Sequence, residues 1–153
     1  MSTHATSVPS ARPGPGAVDR LVPFVHVAEV EASLAFYALL GFAPAHTMTD
    51  PRGRAFWAMA RSGAAEIMFA LADGPINAEQ QAVIFYMYSP DVAGLRRRLL
   101  AGGLHDGGVY CGAAGPNNGR RVVFAVAHPD HMPAGELRIA DPDGYCILVG
   151  ESA

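Results

Sequence analysis

His26 lies in Val22-Pro-Phe-Val-His-Val27 and Glu66 in Ala65-Glu-Ile-Met-Phe-Ala-Leu71, two runs of strand-forming residues. An imidazole and a carboxylate that face one cleft can act as acid and base. A carboxylate on the inward face of a strand needs a partner or access to water. For Glu66 the choices are His26, an arginine, or a register that turns it outward. A second cluster is His128-Pro-Asp-His131, with Asp130 between the histidines and His105 upstream. Metal ligation needs three or four converging donors, and two histidines in a proline-containing loop more often form a surface turn. The dense basic run Arg96-Arg97-Arg98 falls near the end of an expected helix, where positive charge suits the helix dipole. It reads as a solvated face rather than an anion site. Cys111 and Cys146 are too few to staple a chain of this size.

The chain has 153 residues, enough for one domain. Its formal charge of −3 makes nucleic acid a poor partner. Arginine supplies all 11 positive charges, and lysine is absent. No apolar run approaches the length of a membrane span, and the N-terminal segment lacks the apolar core of an export signal. A cytoplasmic setting without membrane partners is therefore expected.

Residues 1–19 are rich in Ala, Ser, Pro and Gly and lack apolar periodicity, so a disordered tail is expected before a domain at 20–153. Within that domain, 20–72 and 82–151 follow one plan. Leu21–Val27 reads as a strand. Glu29–Leu40 reads as a helix stopped by Gly41. Ala43–Thr49, Phe56–Arg61 and Ala65–Leu71 read as strands. After a linker at 72–81, Val83–Tyr88 reads as a strand. Ser89 suits an N-cap, with Pro90 at the first helical position. Val92, Leu95 and Leu99 mark a second helix ended by Gly102-Gly103, and Val122–Ala127 is strand-like. Adding 62 to the first half's numbering carries Val30 to Val92 and Gly41 to Gly103. Each half thus reads as βαβββ.

Two segments carry a family resemblance. One is Ser33-Leu-Ala-Phe-Tyr-Ala-Leu-Leu-Gly-Phe42. The other is Asp141-Pro-Asp-Gly-Tyr-Cys-Ile-Leu-Val-Gly-Glu151, a tight turn feeding an apolar strand. In this order, with the internal repeat, they resemble the vicinal oxygen chelate superfamily. That group includes glyoxalase I, extradiol dioxygenases, and the fosfomycin and bleomycin resistance proteins. The resemblance covers roughly residues 21–151 and implies an α+β fold. Two βαβββ modules would form an open, cleft-bearing mixed sheet with the helices packed outside. It also implies a homodimer, in which each cleft is completed by residues of the partner.

Metal-dependent relatives take four ligands from the sheet's open face. Carried over by position, the first is seven residues before Glu29, at Val22. Its repeat equivalent is Ile84, and the last, four after Gly144, is Leu148. The remaining one is Glu66 or Met68. Val, Ile and Leu have no lone pair to offer, so the resemblance implies no metal and no cofactor. By the two-residue period of a strand, the cleft face would carry Phe24 and His26, Glu66 and Met68, Tyr86 and Tyr88, and Leu148, with Trp57 or its neighbours. This set is apolar and aromatic with few polar atoms, as small-molecule pockets are. His26 stands where glutathione-using relatives carry arginine, which disfavours glutathione. The expected function is metal-independent binding of an aromatic or amphipathic small molecule, as in bleomycin-resistance-type members. The alternatives are a glyoxalase-like lyase or isomerase using Glu66 and His26 or an atypical metal site, and a non-catalytic dimeric fold relic.

Overall fold

The computed structural model describes residues 14–80 and 82–153. Of the expected tail, residues 1–13 lie outside the described residues. Residues 14–23 carry one turn, closed by the Ala17 N–H on the Gly14 carbonyl at 3.0 Å, and no strand or helix.

The first module runs β1 (Phe24–Val27), α1 (Val30–Leu39), β2 (Ala43–Thr49), β3 (Ala55–Ser62) and β4 (Ala65–Leu71). Its sheet has the order β1-β4-β3-β2, with β1 parallel to β4 and the other pairs antiparallel. The second module runs β5 (Phe85–Ser89), α2 (Val92–Ala101), β6 (His105–Asp106), β7 (Val122–Val123), β8 (Glu136–Ala140) and β9 (Cys146–Glu151). Its sheet order is β5-β9-β8-β7-β6, again with the first strand parallel to the last. The fold is α+β, a repeated βαβββ plan in which the second copy adds the short strand β6.

Several boundaries differ from the sequence reading, among them β5, which starts at Phe85 rather than Val83, and three differences have a local reason. β1 starts at Phe24 rather than Leu21, because Pro23 has no N–H to give the ladder, although its carbonyl still accepts from Met68 at 2.9 Å. The N-cap of α2 is Asp91, whose carboxylate accepts from the Gly94 N–H at 2.8 Å. Ser89 sits two residues earlier and accepts from the Asp91 N–H at 3.2 Å. The strand expected at Val122–Ala127 splits into β7 and a single bridge, Ala127 to Glu136. The sequence reading placed no strand at 136–140, where β8 stands.

Strand alternation sorts the side chains cleanly. Val25 and Val27, Ile67 and Phe69, Ala58 and Ala60, Leu137 and Ile139, and Ile147 and Val149 are buried. They pack with Val30, Phe36 and Tyr37 of α1 and Val92 and Leu99 of α2 in one core that joins both modules. Each large side chain buried there contributes roughly 1.5–3 kcal/mol. The intervening residues of the same strands point away from the core, so each sheet keeps one open face.

The Asp141–Gly144 turn fastens one module to the other. Asp141 is fully buried, and its Oδ1 accepts the N–H groups of Asp143 at 2.8 Å and Tyr145 at 2.9 Å. Its Oδ2 accepts the hydroxyl of Tyr37, from α1, at 3.1 Å. The Asp143 carboxylate accepts the Ala28 N–H at 3.3 Å, and the Tyr145 hydroxyl donates to the His26 carbonyl at 2.9 Å. Gly144 has φ +88°, which a side chain rarely adopts. The motif that carries the family resemblance is thus the joint that sets the two sheets against each other.

Candidate functional site

Strand register arranges the open face of the first sheet in rows. His26, Ala70, Trp57 and Met48 form one row, and Phe24, Met68 and Met59 the next. Arg61 and Glu66 follow as a cross-strand pair. Phe24 is 56% exposed and its ring stacks on His26, with centroids 5.8 Å apart. Trp57 and Met68 are half-buried.

Glu66 does face this side, but its partners are arginines. One carboxylate oxygen accepts from Arg20 at 2.6 Å and from Arg61 at 3.0 Å. His26 is level with Ala70, four positions along β4 from Glu66. That is about 13 Å at the strand rise of about 3.3 Å per residue. The structure therefore does not bring Glu66 and His26 together as an acid–base pair. The carboxylate that looked functional in sequence is neutralised by two guanidinium groups.

The second sheet's open face has Tyr88, Gly150 and Glu136 in one row and Tyr86, Leu148 and Arg138 in the next. Cys146 and Ala140 follow. The rings of Tyr86 and Tyr88 lie 5.3 Å apart. The Tyr86 hydroxyl donates to Glu136 Oε2 at 2.8 Å, and His131 Nε2 meets the same oxygen at 2.8 Å. Burial, followed by the Glu136 carboxylate, pushes the Tyr86 phenol up to about 12. Burial also works to raise Glu136, but the hydrogen bonds from His131 and Tyr86 outweigh it and hold the carboxyl below its ordinary value. At neutral pH the phenol thus keeps its proton and the carboxylate is ionised. Burial raises the Cys146 thiol, with Arg138 opposing, so Cys146 is no activated nucleophile.

His128 and His131 diverge. His128 Nδ1 meets the Pro133 carbonyl at 2.9 Å, whereas His131 turns to Glu136. His105 sits on β6, paired with Val122. Among the described residues no three His, Cys, Asp or Glu side chains converge as a metal site. The positions carried over from metal-dependent relatives do not fit an ion either. Extending the parallel registers puts Val22 level with Glu66 and Ile84 level with Cys146, while Leu148 lies between Tyr86 and Arg138. Of these groups Glu66, Cys146 and the Tyr86 phenol offer donor atoms, and the phenol keeps its proton for Glu136. Glu66 is held by Arg20 and Arg61, and Cys146 accepts a hydrogen bond from Arg138 at 3.2 Å.

The aromatic residues read from the sequence are divided between the two sheets: Trp57 lines one hollow with Met48 and Phe56, and Tyr86 and Tyr88 line another. A hollow of about 610 Å³ runs past Phe24 and His26 to Phe85 and Tyr145. Another, of about 460 Å³, lies between Tyr86 and Tyr88 and the edge of the first module at Leu40 and Phe42. A third, of about 580 Å³, opens under the 110–120 loop against Arg138, Cys146 and Phe124. Glu136, Arg138 and Tyr110 were missed in sequence. The alternation of Glu136-Leu-Arg-Ile-Ala140, running into the Asp141–Gly144 turn, was the signal for β8 and its outward charges.

Known structures share this architecture. A bleomycin resistance determinant encoded on the transposon Tn5 superposes with a TM-score of 0.64 at 17% identity, over 88% of this chain and 98% of its own. A bleomycin-binding protein from Streptomyces verticillus, in complex with copper(II)-bleomycin, gives 0.59 at 17% identity, over 90% and 100%. The fosfomycin resistance protein FosX from Listeria monocytogenes, in complex with manganese(II), gives 0.61 at 11% identity, over 90% and 95%. No curated protein matches the sequence significantly. Among the described residues no helix is long and apolar enough to cross a membrane. Residues 18–149 match the family profile, and the chain belongs to the glyoxalase/bleomycin resistance protein/dioxygenase superfamily.

Proposed function

We propose that this chain is a binding protein for aromatic or amphipathic small molecules, and that it binds them without a metal ion. The observation that carries this reading is the pair of open sheet faces. Tyr88 is 68% exposed and Phe24 is 56% exposed, beside Trp57, Met68, Tyr86 and Leu148. A stable fold has no need of aromatic rings on the side of a sheet away from its core, and such patches mark binding surfaces. Planar ligands would gain apolar burial and stacking there. The carbon side chains at Val22, Ile84 and Leu148 support metal independence, and the likeness in fold to a bleomycin resistance determinant and a bleomycin-binding protein supports a ligand-binding role.

The same division of the aromatics supports a homodimer. Trp57 and the Tyr86–Tyr88 pair belong to different sheets, so in our reading a second copy brings one sheet's face against the other's and closes each cleft. We place the protein in the cytoplasm, where Cys111 and Cys146 would stay unpaired, as they are here. An enzymatic role for Glu66 and His26 finds less support, because the arginines already hold Glu66.

Trp57 is the chain's one tryptophan and so reports on its own face. Titration with a panel of planar aromatic antibiotics and metabolites is expected to quench its fluorescence saturably with at least one compound, at one ligand per cleft. Failure of every compound to quench would count against the binding role. Sedimentation equilibrium is expected to return twice the chain mass, and a monomer at all concentrations would remove the shared cleft.

A further inference from the structure

We infer that Arg138 is the anchor for an anionic group, so that the ligand of the second sheet's face is a planar aromatic anion. This deepens the binding role proposed above and rests on it.

Arg138 projects from β8 onto the open face, half-buried, in the same row as Leu148 and Tyr86. Its guanidinium carbon lies 4.0 Å from the centroid of the Tyr110 ring, which covers one face of the group. Nη1 donates to Cys146 Sγ at 3.2 Å, a weak acceptor for a cation. Among the described residues no carboxylate comes within ion-pair distance of it, although Arg20, Arg61, Arg96 and His131 each have an acid partner. The nearby Glu136 lies beyond ion-pair distance with its Oε2 engaged by Tyr86 and His131, and its charge acts on Arg138 only at longer range. The guanidinium is therefore positioned by stacking, with no carboxylate of the described residues in direct contact. A half-buried guanidinium in this state keeps N–H groups available to an anion from outside.

The cavity beside it has room for such a ligand. Its volume is about 580 Å³, and its other charged residues are Arg120, Asp143 and Glu79. Asp143 accepts the Ala28 N–H, and Glu79 is exposed at the rim. The loop that roofs the cavity is seated on Phe124. A side chain at Gly115, where φ is +80°, would begin 3.1 Å from that ring. The walls are thus aromatic (Tyr110, Phe124), and Arg138 presents free N–H groups along its edge. That combination selects a flat ring bearing a carboxylate or phosphate, which a guanidinium can grip with two parallel hydrogen bonds.

Four naphthalene probes of one shape separate the possibilities by calorimetry on the intact protein: naphthoate, naphthyl phosphate, the neutral naphthalenemethanol and the cationic naphthylmethylammonium. Naphthoate or naphthyl phosphate is expected to bind at least tenfold more tightly than the cation, and the preferred anion tells carboxylate from phosphate. Arg138→Gln is expected to weaken the anion by roughly tenfold to a hundredfold, the worth of a charge-assisted bond, and to leave the neutral probe unchanged. Arg138→Lys, which keeps the charge without the fork, should fall between, and Arg97→Gln on the exposed face of α2 should have no effect. Equal binding of all four probes, or anion affinity indifferent to Arg138→Gln in a folded variant, would overturn the inference while leaving the binding role intact. Absence of saturable binding by any probe at millimolar concentration would remove both.

Discussion

Replacing Asp141 with alanine will lower the unfolding free energy by about 3 kcal/mol. The carboxylate accepts three hydrogen bonds at 2.8 to 3.1 Å from Asp143, Tyr145 and Tyr37. Truncation leaves the Tyr37 hydroxyl without a partner in the core, and two N–H groups of the turn lose their acceptor. Tyr37→Phe removes only the first of these and should cost about 1 kcal/mol. Asp141→Asn keeps an acceptor for the turn and should be the mildest of the three. Chemical denaturation of the variants measures all of these. A loss below about 0.5 kcal/mol for Asp141→Ala would show that the turn is not the joint between modules.

The same residue carries a pH signature. Burial, the largest influence, pushes the Asp141 carboxyl up to about 6 despite the bonds from Tyr145, Asp143 and Tyr37. The unfolded chain releases that proton near 3.8. Below 3.8 both states are protonated and the group is neutral to stability. Between 3.8 and about 6 the folded chain holds a proton that the unfolded chain has lost, so stability falls as pH rises. Above about 6 that loss is complete. Asp141→Asn lacks this slope. Its melting temperature should therefore improve relative to the parent as pH is raised from 4 to 6, and a parallel pair of curves would contradict the assignment.

The second large effect concerns the ligand. Trp57→Ala is expected to weaken binding of any compound that quenches Trp57 by roughly thirtyfold, the worth of an aromatic anchor near the centre of an interface. Calorimetry must replace fluorescence as the readout, since the reporter is gone. Trp57 lies on the face away from the core, between the buried Ala58 and the exposed Phe56, so the variant should stay folded. Unchanged affinity in the folded variant would move the ligand off the first sheet. Tyr86 and Tyr88 would then be the next aromatic pair to test.

Much of the fold was legible because strands announce themselves by period. β2 and β4 fall on the expected residues, and the alternation that put Phe24 and His26 on one side of β1 is the one observed. The repeat offset of 62 foretold two modules with one plan. β8 was less visible because the long stretch from His105 to Pro133 separates it from α2, and its glycines and prolines read as loop. With β8 went Glu136 and Arg138, the charges that organise the second face. The fate of Glu66 was not legible either. Its partner Arg20 lies 46 residues away and precedes β1, where no periodicity points to it. The sequence also pooled the aromatics of both modules into one concavity. Alternation assigns a residue to a face but does not say which faces meet, and within the chain that is set by the Asp141 joint.

We propose that ligands bind here to aromatic faces and need no metal ion. The most direct measurement is the Trp57 quenching titration, run on protein stripped with a strong chelator and repeated with zinc, nickel, manganese and iron(II) restored in turn. One saturable curve with the same midpoint is expected in every case. Quenching lost on chelation and recovered with one cation would contradict it.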